Sequence, residues 1–337
     1  MNKSFLMWSC LAVVVATTTG CNSNSSDDST ANTTTPTTDN TTPVATTTTT
    51  AGILCDYNYS AFNSDESVNL TSSAAWTCNA TSRYLTANGV PDHEVGTFPN
   101  VGNPNTIGAT SVSATYSLMP AVVSTTGSNA TVVGFALNGV KFDPNTGGSC
   151  NNDGSSCSLI GNTGNWNMEA LGQSAFNFGA DENNAHVQPT GEYHYHGMPE
   201  KFIAKLNKGA AMTLVGWAAD GFPVYARYGY MMAMDATSAI KVLSGSYKLK
   251  TTPDANRPAT SLYAMGTFKQ DYEYVAGLGD LDECNGRTGV TPEFPNGIYH
   301  YVITDSYPFI GRCLKGTSAA GQLPPPPNGM LPPPPAA

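Results

Sequence analysis

The chain holds 337 residues, with 15 basic and 25 acidic side chains and a formal charge of −10. Only 12% of its residues are charged, against about 25% in an average protein. An acidic chain without a basic run is a poor partner for nucleic acid and for anionic lipid headgroups, so neither is expected as a target held by charge.

In chain order, Lys3 opens a short positive segment and residues 5–16 form an apolar run. Small residues follow and end in Thr18-Thr19-Gly20-Cys21. This is the order of a secretory signal, and the run is shorter than the ~18 apolar residues of a membrane span. Residues 1–20 therefore read as a signal peptide. Its end resembles a lipobox, with Thr18 where leucine is usual, which makes Cys21 the lipid-bearing first residue of the mature chain. An ordinary cleaved signal is the alternative. The lipoprotein reading places the protein outside the cytoplasm, lipid-anchored in the cell envelope at the outer membrane or cell surface, with the lipid as its membrane contact.

Residues 21–50 are nearly all Ser, Thr, Asn and Asp. Such a segment buries no apolar surface and reads as a disordered tether. At the other end, residues 323–337 are rich in proline and read as an extended tail. The span 51–322 is left as the folded unit, one large domain or two closely packed ones.

Of the 8 cysteines, Cys10 leaves with the signal and Cys21 carries the lipid. The remaining Cys55, Cys78, Cys150, Cys157, Cys284 and Cys313 read as three disulfides of an exported protein. Neighbours in sequence are the expected partners. None forms a C-x-x-C pair, which argues against thiol-redox catalysis.

Apolar β-formers alternate with Gly, Asn and Pro punctuation through this span. Strands are expected at 111–119, 131–140, 213–219, 224–230 and 298–304. A helix is expected at 168–176, capped by Asn167. The fold class is mainly β: a sandwich or barrel-like domain with long disulfide-pinned loops and little helix. Residues 141–157 are rich in Asp, Asn and Gly but lack the spacing of a calcium loop.

The mature chain has five histidines: His93, His186, His194, His196 and His300. His194 and His196 stand two apart, so in a strand they share one face while Tyr193 and Tyr195 share the other. Two imidazoles about 7 Å apart along a strand reach one metal ion. A turn at Pro189-Thr190-Gly191 folds His186 back toward the pair. His300 lies in a second Tyr-rich strand. The expected ligand set is His194, His196, His300 and His186, with His93, Glu200, Glu192 and Asp220 as further candidates. Such a nitrogen-rich set suits a transition metal, copper or zinc first. The pattern also approaches the two metal motifs of cupins, with Glu200 after the first pair and Gly289 and His300 in the second. It lacks the upstream glycine spacing and has Thr304 where that motif ends in Asn.

The segment Tyr193-His194-Tyr195-His196 within 191–199 resembles the signature of the YHYH-domain family of exported proteins. Further likenesses are Asn88-Gly89-Val90-Pro91-Asp92-His93, Ala136-Leu137-Asn138-Gly139-Val140, Asp220-Gly221-Phe222-Pro223 and Phe294-Pro295-Asn296-Gly297-Ile298-Tyr299-His300-Tyr301. The resemblance implies a YHYH domain over 51–322 and carries no established activity. The leading expectation is an envelope lipoprotein that binds a transition metal. One alternative is a metal-dependent oxidoreductase or hydrolase with an acid or base such as Glu200, Asp220 or Asp305. Another is an adhesive or glycan-binding module.

Overall fold

The computed structural model describes Cys55, residues 57–130 and residues 132–318. The expected signal peptide, Cys21, the tether and the Pro-rich tail from 323 lie outside the described residues. The described fold is mainly β, as the residue pattern implied.

Two sheets carry the core. The first is antiparallel, in the order β1 (Asn58–Asn63), β2 (Leu70–Cys78), β3 (Ser82–Ala87) and β4 (Val112–Ser117). Burial alternates along it, with Ala74, Trp76, Arg83, Leu85, Ala114 and Tyr116 on the inner face. That alternation is the two-residue period of a strand with one covered face. The covering layer is the second sheet. Trp76 donates its indole N–H to the Leu137 carbonyl at 2.9 Å, and the Arg83 guanidinium stacks 3.4 Å from the Trp217 ring centre.

The second sheet has eight strands: β5 (Gly134–Ala136), β6 (Lys141–Phe142), β7 (Ala185–Val187), β8 (Tyr193–Tyr195), β9 (Thr213–Ala218), β10 (Pro223–Ala226), β11 (Gly286–Gly289) and β12 (Ile298–Ile303). Their order is β7-β8-β6-β5-β9-β10-β12-β11. The pairs β8–β6 and β10–β12 are parallel and the others antiparallel. Every residue of β9 and β10 is buried, as their near-continuous apolar sequence demands of strands covered on both faces.

Three expected elements change form. The strand expected at 131–140 breaks at Asn138-Gly139, where Gly139 has φ +80° and its N–H bonds back to Ala136 O at 2.8 Å. The chain turns there to make the β5–β6 hairpin. The strand expected at 224–230 breaks at Arg227, whose φ of +56° is the left-handed region that non-glycine residues enter rarely. Tyr228–Tyr230 then pairs with Ile240–Val242 instead.

The helix expected at 168–176 does not form. Trp166 and Met168 are buried two residues apart, and Met168 bridges to Phe268. This is strand spacing, anchored by a partner about a hundred residues away that local propensity does not register. A helix forms instead at α1 (Glu200–Leu206), which buries Phe202 and ends at Asn207 in the left-handed conformation.

Disulfides join Cys55 to Cys78, Cys150 to Cys157 and Cys284 to Cys313, the neighbour pairing expected. Among the described residues no helix is long and apolar enough to cross a membrane.

Candidate metal centre

β7 and β8 form a hairpin closed at Pro189-Thr190-Gly191. Gly191, at φ +89°, sends its N–H to Gln188 O at 2.8 Å, and the Gln188 N–H reaches Glu192 O at 2.9 Å. This register sets His186 opposite His194, and the parallel pairing of β8 with β6 sets Lys141 beside His194 on its other flank. Side chains paired across a sheet share a face, as do residues two apart along a strand. One face of this corner therefore carries His186, Glu192, His194, His196, Lys141 and Asp143. The other face carries Val187, Tyr193, Tyr195 and Phe142, all in the main core.

The three imidazoles meet edge to face. Ring centres are 4.6 Å apart for His186–His194 and for His186–His196, and 4.7 Å for His194–His196. One nitrogen from each lies within 4.8 Å of the others. The Nε2 atoms of His186 and His196 are 3.0 Å apart. The Nδ1–H of His186 donates to Phe178 O at 2.9 Å and that of His194 to Glu192 O at 3.2 Å. A carbonyl only accepts, so these bonds fix the tautomer and leave the Nε2 atoms of His186 and His194 as acceptors, that of His186 facing His196 Nε2. His196 Nδ1 is buried without a partner.

Burial holds the pKa values of His194 and His196 well below the ordinary histidine value and lowers that of His186. Desolvation is the largest cause in each. For His194 the neighbouring rings and Lys141 add to it, and for His196 so does Arg312. Neutral imidazole is the form that coordinates.

Lys141 is 4% exposed and needs counter-charge. Its ammonium lies 2.7 Å from Glu192 and 3.4 Å from Asp143. Burial raises the Asp143 pKa against the pull of Lys141. Behind the hairpin, Tyr193 donates to Asp181 at 2.7 Å. Tyr195 donates to His93 Nε2 at 2.6 Å and accepts from Asn138 Nδ2 at 2.9 Å. The motif tyrosines thus lock the strand into the core while its histidines face the opposite side.

Other expected candidates lie elsewhere. His300 sits on β12, and four strands separate β12 from β8. At ~4.8 Å per strand step the two are roughly 24 Å apart, too far to share an ion. Opposite His300 in register stands Arg287, and its ring packs on Tyr225. His93 lies behind the hairpin as the acceptor for Tyr195. Asp220 accepts from Tyr301 at 2.6 Å and from the Gly316 N–H at 2.9 Å, which ties the β9–β10 turn to the carboxyl end of the fold. Glu200 opens α1 and pairs with Arg227, which Asp305 also holds at 2.8 Å. The cupin-like pattern therefore does not assemble. Lys141, Asp143 and Asp181 escaped sequence reasoning. The only signal for Lys141 and Asp143 was a lysine and an aspartate at alternate positions of an otherwise apolar segment, and Asp181, in the polar run 181–184, had none.

Residues 113–316 match the protein family described as YHYH protein. The match takes in the whole eight-stranded sheet and all three clustered histidines, and excludes β1 to β3. It is narrower than the 51–322 unit expected. No curated protein and no solved structure matches the chain.

Proposed function

The chain belongs to the YHYH family, and we propose that His186, His194 and His196 bind one transition-metal ion in an exported, lipid-anchored protein of the cell envelope. One observation carries the reading. Two Nε2 atoms meet at 3.0 Å, in a triad where two of the three rings are turned inward by bonds from Nδ1 to backbone carbonyls. Nitrogen ligands at 2.0–2.1 Å in tetrahedral geometry stand about 3.3 Å apart. Without an ion, His186 and His196 share a hydrogen bond through Nε2, and the buried His196 Nδ1 has no partner, which costs about 1–3 kcal/mol. Three imidazoles favour zinc and copper.

Metal content of protein purified without chelator, and after each ion is offered, tests this reading. One equivalent is expected, and it disappears in His194→Ala with His196→Ala. A wild-type protein that holds no ion at micromolar concentration overturns it. The envelope assignment draws on the signal-like residues 1–20 and on three disulfides, which suit an oxidising compartment.

A second reading is a metal-dependent enzyme. Among the described residues no fourth His, Cys, Asp or Glu joins the triad. Three protein ligands with a fourth position for water or substrate is the plan of catalytic zinc sites. Turnover that depends on the bound ion separates the two readings.

A further inference from the structure

A second site lies outside the triad, at a cavity of about 320 Å³, within the usual size range of ligand pockets. Five chain segments build it: the end of the Ser128–Asn129 strand, the loop leaving β6, the Met168 bridge, the turn carrying Lys269, and the segment carrying Arg312. Its polar wall comprises Asn129, Asn145, Thr146, Glu169, Lys269 and Arg312. Glu169 and Arg312 form a buried bidentate pair, with Nη–Oε distances of 2.7 and 2.6 Å. Their charges cancel.

Lys269 has no such partner. Of the nine described lysines, seven pair with carboxylates. Lys208 is exposed. Lys269 is part-buried and makes neither ion pair nor hydrogen bond among the described residues. Its backbone is held rigidly. Phe268 before it is fully buried. Asp271 after it is locked to Arg257 at 2.7 and 2.8 Å, and the Gln270 side chain accepts from the Asn167 N–H at 3.2 Å. Burial and the charge of Arg312 lower the Lys269 pKa, and the Glu169 carboxylate opposes them by less. An unpaired cation is thus presented to a cavity in a protein of net charge −10.

The remaining wall suits hydroxyl groups. Asn145 spends one amide hydrogen on Ala130 O, and the Thr146 hydroxyl donates to Met168 O. Asn145 keeps a hydrogen and its side-chain carbonyl, and Thr146, which also accepts from the Gly148 N–H at 3.3 Å, keeps one lone pair. We infer that this cavity binds a small, hydroxyl-rich monocarboxylate, the chemistry of a uronic acid, with its carboxylate on Lys269 and its hydroxyls on the asparagine and threonine wall.

Isothermal titration calorimetry of the purified protein tests this with D-glucuronate and D-galacturonate, using glucose and acetate as controls. At least one uronate should saturate, and glucose and acetate should bind at least ~10-fold more weakly. Lys269→Met should weaken uronate binding at least ~10-fold, and Lys269→Arg, which keeps the charge, should retain most of it. Arg312 also faces His196 electrostatically, so the titration is repeated after chelation, and binding should persist. No uronate binding at about 10 mM, equal binding by acetate, loss of binding on chelation, or unchanged binding by a folded Lys269→Met protein would each overturn the assignment.

Discussion

His186 and His194 stand directly opposite each other across a hairpin, with ring centres 4.6 Å apart. His300, in the similar Tyr299-His300-Tyr301 segment, stands opposite Arg287 instead. The two segments share their tyrosine chemistry too. Tyr193 donates to Asp181, and Tyr299 and Tyr301 donate to Asp282 and Asp220. What differs is the surroundings of the histidine: His186 opposite and His196 two residues on in one segment, Arg287 opposite and Val302 two residues on in the other. Neither arginine nor valine offers a metal a lone pair. His186→Ala should therefore abolish stoichiometric metal, whereas His300→Ala should retain it. Metal analysis of both variants after equal zinc or copper loading checks this. Equal retention, or loss from His300→Ala alone, would contradict the assignment.

Lys141 sits beside His194 with its charge compensated by Glu192 and Asp143. Lys141→Met removes the cation and leaves two largely buried carboxylates unpaired. Breaking a buried pair from one side costs about 3–5 kcal/mol, and the partial exposure of both acids puts the expected loss near the lower figure. Urea denaturation at neutral pH should show a lowered midpoint with an unchanged slope. A variant as stable as wild type would mean that the carboxylates find other compensation.

Much of the site was legible because strand periodicity is local. Alternation alone places His194 and His196 on one face, and Pro189-Thr190-Gly191 signals the turn that returns His186. What was not legible is register between distant strands. Nothing near Lys141 in sequence reveals that β6 runs parallel to β8, and nothing near His300 reveals the strands that separate it from the motif. The same gap explains residues 168–176, where Met168 is held extended by Phe268. It also explains α1, a seven-residue helix with a single buried side chain and too little periodicity to announce itself.

Anchoring is tested at Cys21, the residue that ends the lipobox-like Thr18-Thr19-Gly20 segment. A lipid-modified cysteine supplies the only strong membrane affinity expected of this acidic chain. Cys21→Ser should move the protein from the membrane fraction to the soluble fraction with its three disulfides intact. Continued sedimentation with membranes would show that another contact holds it.

His300 also predicts a pH dependence of stability. It is fully buried, and desolvation pushes its pKa down to about 4, with a smaller repulsion from Arg287 in the same direction and its bond to Ile298 O opposing. In the unfolded chain the ordinary histidine value of about 6.5 applies. Between those values the unfolded state binds more protons than the folded one, so stability rises with pH. The contribution is complete above about pH 6.5 and is lost as the pH falls toward 4. The difference of about 2.5 pH units corresponds to roughly 3 kcal/mol, most of it gone by about pH 4.5. His93 and the triad add losses of the same sign, so the measurement must be a difference. Urea unfolding of wild type and His300→Gln, both with chelator present, is compared at about pH 7.5 and 4.5. The wild type should lose roughly 2–3 kcal/mol more than the variant between these two conditions. Parallel losses in the two proteins would show that His300 takes up no extra proton on unfolding.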